Sequence, residues 1–461
     1  MHLAVDLSFT HTSGRWRLPG AWAGRRFPDL AMYQEMALIA ERAKLDMLFF
    51  GDGTGIPDSW QGRMDGAVRW GIGWPRQDMS PYIAALSQIT RNLGFGLTYS
   101  STFMHPYYVA RLLTSLDHLS GGRIAFNVVA SSRRADAANY GWDELMAHDD
   151  RYGRMDEFMD ICLALWRSVD AEAILQDEET GHFADPDLVH RIDYKGQHFS
   201  VRGPLSAAPS PSVRPVLVQA GASDRGIQAS VHFSDMVFAQ GGPVSAHRRH
   251  REKLDAELLR QGKPAGSVGV LWSQSVIVAQ TQEEADARRE QLLDIWTPEA
   301  VAVQMSNAAS FDLDTLPPKF SLGLIAERIE KASGSKSGIF HRLIAERGED
   351  ARLTRDELFE LGRRIVSDYE HVLAGTPARI ADHLEEIHEA TGRNGGFMLS
   401  TPGAMPQGLA DIAGLLVPEL QARGVFRREY EGSTLAENLL GRPMRAIERE
   451  RTTTALRRVQ D

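Results

Sequence analysis

The chain has 461 residues, with 51 Lys plus Arg, 61 Asp plus Glu and a formal net charge of −10; 43% of residues are hydrophobic and 24% are charged. These ordinary globular values exclude a disordered chain, a collagen and a simple coiled coil. The negative balance argues against nucleic acid as the main partner, and no apolar run approaches the ~18 residues of a membrane span. The single cysteine, Cys162, excludes an internal disulfide and any multi-cysteine metal site. The opening MHLAVDLSF lacks a basic stretch followed by an apolar one, so no secretory leader is expected and a cytoplasmic location fits.

In chain order, residues 2–9 read as a first strand, and Leu30, Tyr33, Ala37 and Ala40 then recur at helical spacing. Residues 45–50 (LDMLFF) form a second strand that runs into Gly51-Asp52-Gly53. The long Gly-rich loop 53–80, with Trp60, Trp70 and Trp74, follows, and 93–100 is the third strand. Val109, Leu112, Leu113, Leu116 and Leu119 lay one apolar face along the next helix, which Gly121-Gly122 stops. The fourth strand is 123–131. Met155, Phe158, Met159, Cys162, Leu165 and Trp166 mark another amphipathic helix, and 170–214 reads as a β-rich excursion. Strands five to seven are 215–221, 235–240 and 268–279. A helical insertion at 298–370 contains a capping box from Thr354 to Glu357, 395–400 is the eighth strand, and the tail 425–461 is Arg-rich and poorly patterned. Eight strands separated by helices predict a closed parallel (β/α)8 TIM barrel. It is read as one domain over 1–461, with insertions at 53–80, 170–214 and 298–370 and a C-terminal arm at 425–461.

In such a barrel, chemistry belongs at the C-terminal strand ends. Strand one ends near His11, between an aromatic neighbourhood (Trp16, Trp22) and a loop role. Asp52, after strand two, suits either a polar ring edge or a turn start. Thr98 and Asn127 are polar residues inside apolar strands and need partners, from a ligand or from a neighbouring strand. After strand five, Gly221-Ala222-Ser223-Asp224-Arg225-Gly226 opens a helix. Its free N–H groups suit a phosphate, and Ser223 equally suits an N-cap. His148 and Tyr152, four apart at a helix start, share one face.

Other motifs are absent: there is no HExxH, GxxxxGK[ST], GxSxG or GxGxxG after strand one. His247 and His250 in HRRH have loose metal spacing, but the pattern reads as a solvated basic face. The tail arginines read as solvated or subunit-contacting.

The order of motifs resembles the bacterial-luciferase-like flavin monooxygenases, in the branch of nitrilotriacetate monooxygenase and dibenzothiophene sulfone monooxygenase. The matching segments include FFGDG (49–53), GFGLTYSSTFMHPYYVAR (94–111), LDHLSGGRIAFNVVAS (116–131), NYG (139–141), HDDRY (148–152), GQHFSVRGPL (196–205), PVLVQAGASDRG (215–226) and VPELQARGVFRREYEGSTL (417–435). Departures are Ala130-Ser131 for the usual Thr-Ser, APSPSVRPV (207–215) before strand five, and TLAENLL (434–440).

The resemblance implies a monooxygenase that takes reduced FMN from a separate NAD(P)H-dependent flavin reductase and uses O2 to oxygenate a small organic substrate. It places Gly221 and Ser223 at the FMN phosphate, Tyr152 and His148 at the phosphate and ribityl end, and Asp52 near the ring. Thr98 and Asn127 would stand beside the ring and position oxygen, and His11 is a candidate for substrate contact. No metal is implied. A homodimer or homotetramer is expected. The tryptophans favour an aromatic or apolar substrate, with C–S, C–N or C–halogen cleavage open, while Arg63, Arg69 and Arg133 leave a polycarboxylate possible. The alternatives are a deazaflavin-dependent hydride-transfer enzyme, a non-catalytic flavin-binding protein and a phosphosugar isomerase.

Overall fold

All eight predicted strands form, and they pair in chain order around a closed ring. They are β1 (His2–Asp6), β2 (Met47–Phe50), β3 (Gly94–Ser100), β4 (Ile124–Val129), β5 (Val216–Ala220), β6 (Met236–Gln240), β7 (Gly269–Val278) and β8 (Gly395–Ser400). Every pairing is parallel, and β8 returns to β1 with Gly396 opposite His2 and Met398 opposite Ala4. This computed structural model describes residues 1–451 apart from Phe9, Ala222 and 334–337.

Alternate strand residues face opposite ways, and both faces are buried. Leu3, Val5, Phe95, Leu97, Phe126 and Val128 pack outward against the helices. Ala4, Met47, Phe49, Ala125, Val218, Leu271 and Met398 fill the barrel interior. Burial on both sides is why these strands read as unbroken apolar runs rather than alternating ones. Inside, the rings of Phe49 and Phe238 meet edge to face at 4.7 Å. A Cβ on Gly96 would stand 2.9 Å from the Phe49 ring, so the glycine supplies the ring's space.

The excursions 53–80 and 298–370, read separately from sequence, pack on each other. Helix Asp65–Trp70 lies on helix Pro298–Ala309 in a second core that includes Ala67, Ile72, Trp296, Val301, Met305 and Phe340. Gly66 permits this approach, since a Cβ there would meet Val303 at 2.6 Å. Trp60 donates its indole N–H to Asp314 at 2.9 Å. The predicted capping box of helix Arg355–Val366 is present.

Three expectations need correction. The excursion 170–214 is mostly irregular, with only a hairpin of two-residue strands, Tyr194–Lys195 and Ser200–Val201, and isolated bridges. Side chains hold its backbone instead of a ladder: the Glu157 carboxylate accepts the N–H groups of His198 (2.9 Å) and Phe199 (2.8 Å). The tail is not a solvated arm over its described part. Helix Leu435–Leu440 places Leu435, Ala436 and Leu439 in the inner core, closing the floor of the barrel, and a Cβ on Gly94 would collide with Leu435 at 2.6 Å. Tail arginines pair with buried carboxylates, Arg427 with Asp46 (2.6 Å) and the half-buried Arg451 with Asp235 (2.8 Å). Asp235 also takes both terminal nitrogens of Arg214, which is 1% exposed. Finally, His247 is not on a solvated face. It is 2% exposed, and both it and His250 stand edge-on to Trp272 at 4.7 and 5.5 Å.

Among the described residues, no group of three or more His, Cys, Asp and Glu could hold a metal, and no helix is long and apolar enough to cross a membrane.

Candidate functional site

The barrel interior changes character toward its C-terminal mouth. Above Phe49 and Met398, the inward positions become Thr98, Ser100, Asn127, Ser275 and Ser400. The Asn127 amide donates to the Thr98 hydroxyl at 3.0 Å, Ser131 donates to Ser100 at 2.8 Å, and the Ser275 and Ser400 hydroxyls meet at 2.8 Å. Asn127 is 5% exposed, yet its Oδ1 has no partner. Leaving a buried acceptor unpaired costs ~1–3 kcal/mol, so a ligand N–H arriving at this point would be rewarded.

A cavity of about 830 Å³ opens over the ends of β2, β3 and β4, lined by Asp52, Thr98, Ser100 and Ser131 from the strand ends. Its wall is the loop that follows β2, and that loop is anchored by Asp136. This 5% exposed carboxylate accepts the N–H groups of Thr54 (2.9 Å) and Gly55 (2.6 Å), while Asn139 donates to the Thr54 carbonyl at 2.8 Å. The glycines are required by this contact: a Cβ on Gly55 would lie 2.4 Å from the carbonyl carbon of Ala135. At the far end of the loop, Asp78 accepts the Tyr99 hydroxyl at 3.0 Å and the Ser80 N–H at 2.9 Å. Of the three loop tryptophans, only Trp74 lines the cavity; Trp60 and Trp70 dock the loop on the second core.

Asp52 faces the cavity and accepts one hydrogen bond, from the Gly53 N–H at 2.7 Å. Enclosure pushes its pKa above the usual carboxylate value. The Gly53 bond and Arg76 oppose that shift, and the charges of Asp78 and Asp136 reinforce it.

A second cluster lies at the end of β5. Ser223 caps helix Asp224–Phe233, its hydroxyl accepting the Gly226 N–H at 3.0 Å, as the capping reading expects. Gly221 and Gly226 pack backbone to backbone, and a Cβ on Gly226 would stand 3.2 Å from the Tyr152 hydroxyl. Tyr152 lies one turn into helix His148–Trp166, with its ring 4.9 Å from that of His148 and the Arg225 guanidinium 5.3 Å from its centroid. Sequence-distant His148, Tyr152, Gly221 and Ser223 are thus brought together. Thr98, Asn127 and Asp52 form the other group.

His11 joins neither group. Its ring stacks on Phe27 at 3.4 Å and meets Trp22 edge-on, and its Nε2–H donates to the Pro75 carbonyl at 2.8 Å. Burial pushes its pKa down to about 4, so the neutral ring fastens the end of the loop. The residues that sequence reasoning missed are Asp136, on the short helix Arg134–Asn139, and Asp78, Arg76, Phe103 and Tyr140, on loops. Phe103 and Tyr140 lie inside the family-like segments 94–111 and 139–141, which assign them no role, and the glycines at 51, 53 and 55 announce a close backbone approach without saying to what.

With this geometry in view, comparisons with known proteins are specific. The family model described as "Luciferase-like monooxygenase" matches residues 7–394. The dibenzothiophene-sulfone monooxygenase of Rhodococcus erythropolis (strain XP) is 34% identical over 450 residues, covering 95% of this chain and 96% of the relative. Nitrilotriacetate monooxygenase component A of Aminobacter aminovorans is 32% identical over 457 residues, covering 96% of each. The crystal structure of a riboflavin lyase with modified FMN and riboflavin superimposes with a TM-score of 0.82 at 30% identity, covering 96% of both chains.

Proposed function

The chain belongs to the luciferase-like monooxygenase family and is a flavin-dependent monooxygenase; from that premise we propose a two-component enzyme that uses reduced FMN and O2 to oxygenate a small organic substrate. The observation that carries the FMN reading is the pairing of two sites at one barrel mouth. One offers an orphaned buried amide oxygen, Asn127 Oδ1, beside Thr98. The other offers a glycine turn at a helix N-terminus under a tyrosine hydroxyl. A ring bearing an N–H edge suits the first and a phosphate suits the second.

In this reading, Gly221 and Ser223 with the N-terminus of helix Asp224–Phe233 hold the phosphate, and Tyr152 and His148 bind the phosphate and ribityl end. Asp52 orients the ring edge. Bound flavin supplies the electrons that activate O2. Thr98 and Asn127, fixed by their mutual hydrogen bond, would stand beside the ring and position oxygen, with the Asn127 acceptor left for the ligand. The loop rooted on Asp136 and docked through Trp60 walls one side of the cavity and narrows its access to water. His11 acts on that loop through Pro75; a direct substrate contact would need the loop to move. Reduced FMN would come from a separate NAD(P)H-dependent flavin reductase, and the enzyme would work as a homo-oligomer. C–S, C–N and C–halogen bonds are all candidates for the cleavage that oxygenation triggers.

The test is an anaerobic titration of the purified chain with reduced FMN, followed by an oxygen pulse read in the flavin absorbance. Saturable one-to-one binding, with oxygen-dependent reoxidation altered by the protein, is expected. A folded chain that ignores reduced FMN but binds a reduced deazaflavin would replace this reading with hydride transfer.

A further inference from the structure

The charges of the cavity select among substrates. Five carboxylates line it (Asp52, Asp58, Asp65, Asp78 and Asp136) against two guanidiniums, Arg63 and Arg76. The cations that sequence reasoning held in reserve for a polycarboxylate are already committed: Arg63 pairs with Asp65, and Arg69 with Glu299. Arg133 stands beside the Asp52–Gly53 turn, near the position a Gly53 Cβ would take, and still leaves the carboxylates in excess. The cavity is open to solvent and Asp52, Asp58, Asp65 and Asp78 are exposed at its rim, so this excess repels a polyanion through a field that salt weakens. The same cavity has an aromatic wall. Phe103 and Tyr140 lie parallel, 5.0 Å apart and 5° from coplanar, and Trp142 abuts Phe103 edge-on at 5.4 Å. Phe103 and Tyr140 line the cavity, and Tyr140 keeps 39% of its surface open. Stacked rings with an open face accept another planar ring by the same offset geometry.

We propose that the substrate is a planar aromatic or heteroaromatic ring carrying no negative charge, held against Tyr140 and Phe103 and selected over anions by the carboxylates of the cavity. This rests on the monooxygenase reading of the site and narrows its substrate class. Tyr140 is the stacking residue, and Asp58, on the exposed part of the loop, is a charge filter.

The experiment measures binding of three planar probes that share one bicyclic ring to the full chain by calorimetry, with and without saturating FMN: N-methylquinolinium, quinoline and quinoline-2,4-dicarboxylate, with the neutral quinoline-2,4-dicarboxamide as the control for the dianion's size. The cation and the neutral ring are expected to bind at least tenfold more tightly than the dianion. Tyr140→Ala should weaken quinoline several-fold and Tyr140→Phe should not, because the ring and not the hydroxyl does the stacking. Asp58→Lys should narrow the gap between cation and dianion several-fold. A dianion that binds as tightly as quinoline, or a chain that binds FMN but none of the probes, overturns the proposal while leaving the flavin reading intact. Conversely, probe binding in the expected order without any FMN binding would uphold the cavity's selectivity and remove the flavin reading.

Discussion

The mouth of the barrel has two sides built differently. On the β5 side, everything needed lies within a few residues: Gly221, Ser223 and Gly226 in one turn, with Tyr152 from one neighbouring helix placing its hydroxyl over them. On the β2–β4 side, the cavity exists only because a loop after β2 is fastened to residues far along the chain, with Gly55 bound to Asp136 across 81 positions and Tyr99 bound to Asp78. The first side is a rigid helix terminus suited to a group common to many ligands. The second is an assembled chamber suited to a particular one, and this is where a family with one cofactor can vary its substrates.

The predictions separate these two sides, beginning with the largest effect. Asn127→Leu removes the orphan acceptor and the Thr98 bond together. Turnover should fall about 100-fold, the scale of losing one polar contact at a reacting centre. Stability should change by only about 1 kcal/mol, because a buried unpaired atom is lost as well. A variant with near-normal turnover would move the chemistry away from β4. Asp136→Ala strands two N–H donors of the loop and should cost ~2–3 kcal/mol in urea unfolding. It should also raise KM for substrate several-fold and weaken FMN binding less, because Asp52 at the foot of the same loop meets only the ring edge while the β5 turn keeps the phosphate; a larger loss for FMN than for substrate would mean that the loop serves the flavin alone. Ser223→Ala should lower stability by ~1 kcal/mol through the lost cap and weaken FMN binding. Ser223→Asp should restore the cap but not the binding, since its charge opposes a phosphate. If FMN affinity simply follows stability across these two variants, Ser223 is a cap alone.

The smallest effect is a pH dependence at His11. The ring is neutral in the fold, with its pKa held down to about 4 by burial, while the unfolded chain takes up this proton near pH 6.5. The native state therefore binds fewer protons than the unfolded state between these values, and stability should decline as pH falls from about 6.5 to about 4. His11→Gln should flatten that part of a melting-temperature profile. An unchanged profile would show that burial does not hold the His11 ring neutral.

What could be read in advance follows the same division. The eight strands were legible because parallel strands buried on both faces leave continuous apolar runs, and the β5 turn because its chemistry is local. The cavity was not legible, because Asp136 and Tyr140 sit in a short segment with no periodicity of their own. Their partners are set by the loop's return path. The closing of the barrel floor by Leu435 and Leu439 was hidden for a related reason: a six-residue helix carries too few apolar positions to stand out, and the space that receives it is made by Gly94 at the opposite end of the chain. HRRH misled because charge dominates the pattern, although the two histidines turn inward onto Trp272.

In the proposed arrangement the β5 turn holds a phosphate while the β4 side holds the ring attached to it. The most direct measurement compares the anaerobic affinities of reduced FMN and reduced riboflavin, which share the ring and ribityl chain and differ in the phosphate. FMN should bind at least tenfold tighter, with the advantage shrinking in Tyr152→Phe and largely lost in Ser223→Asp. Equal affinities for the two flavins in the unaltered chain would contradict it.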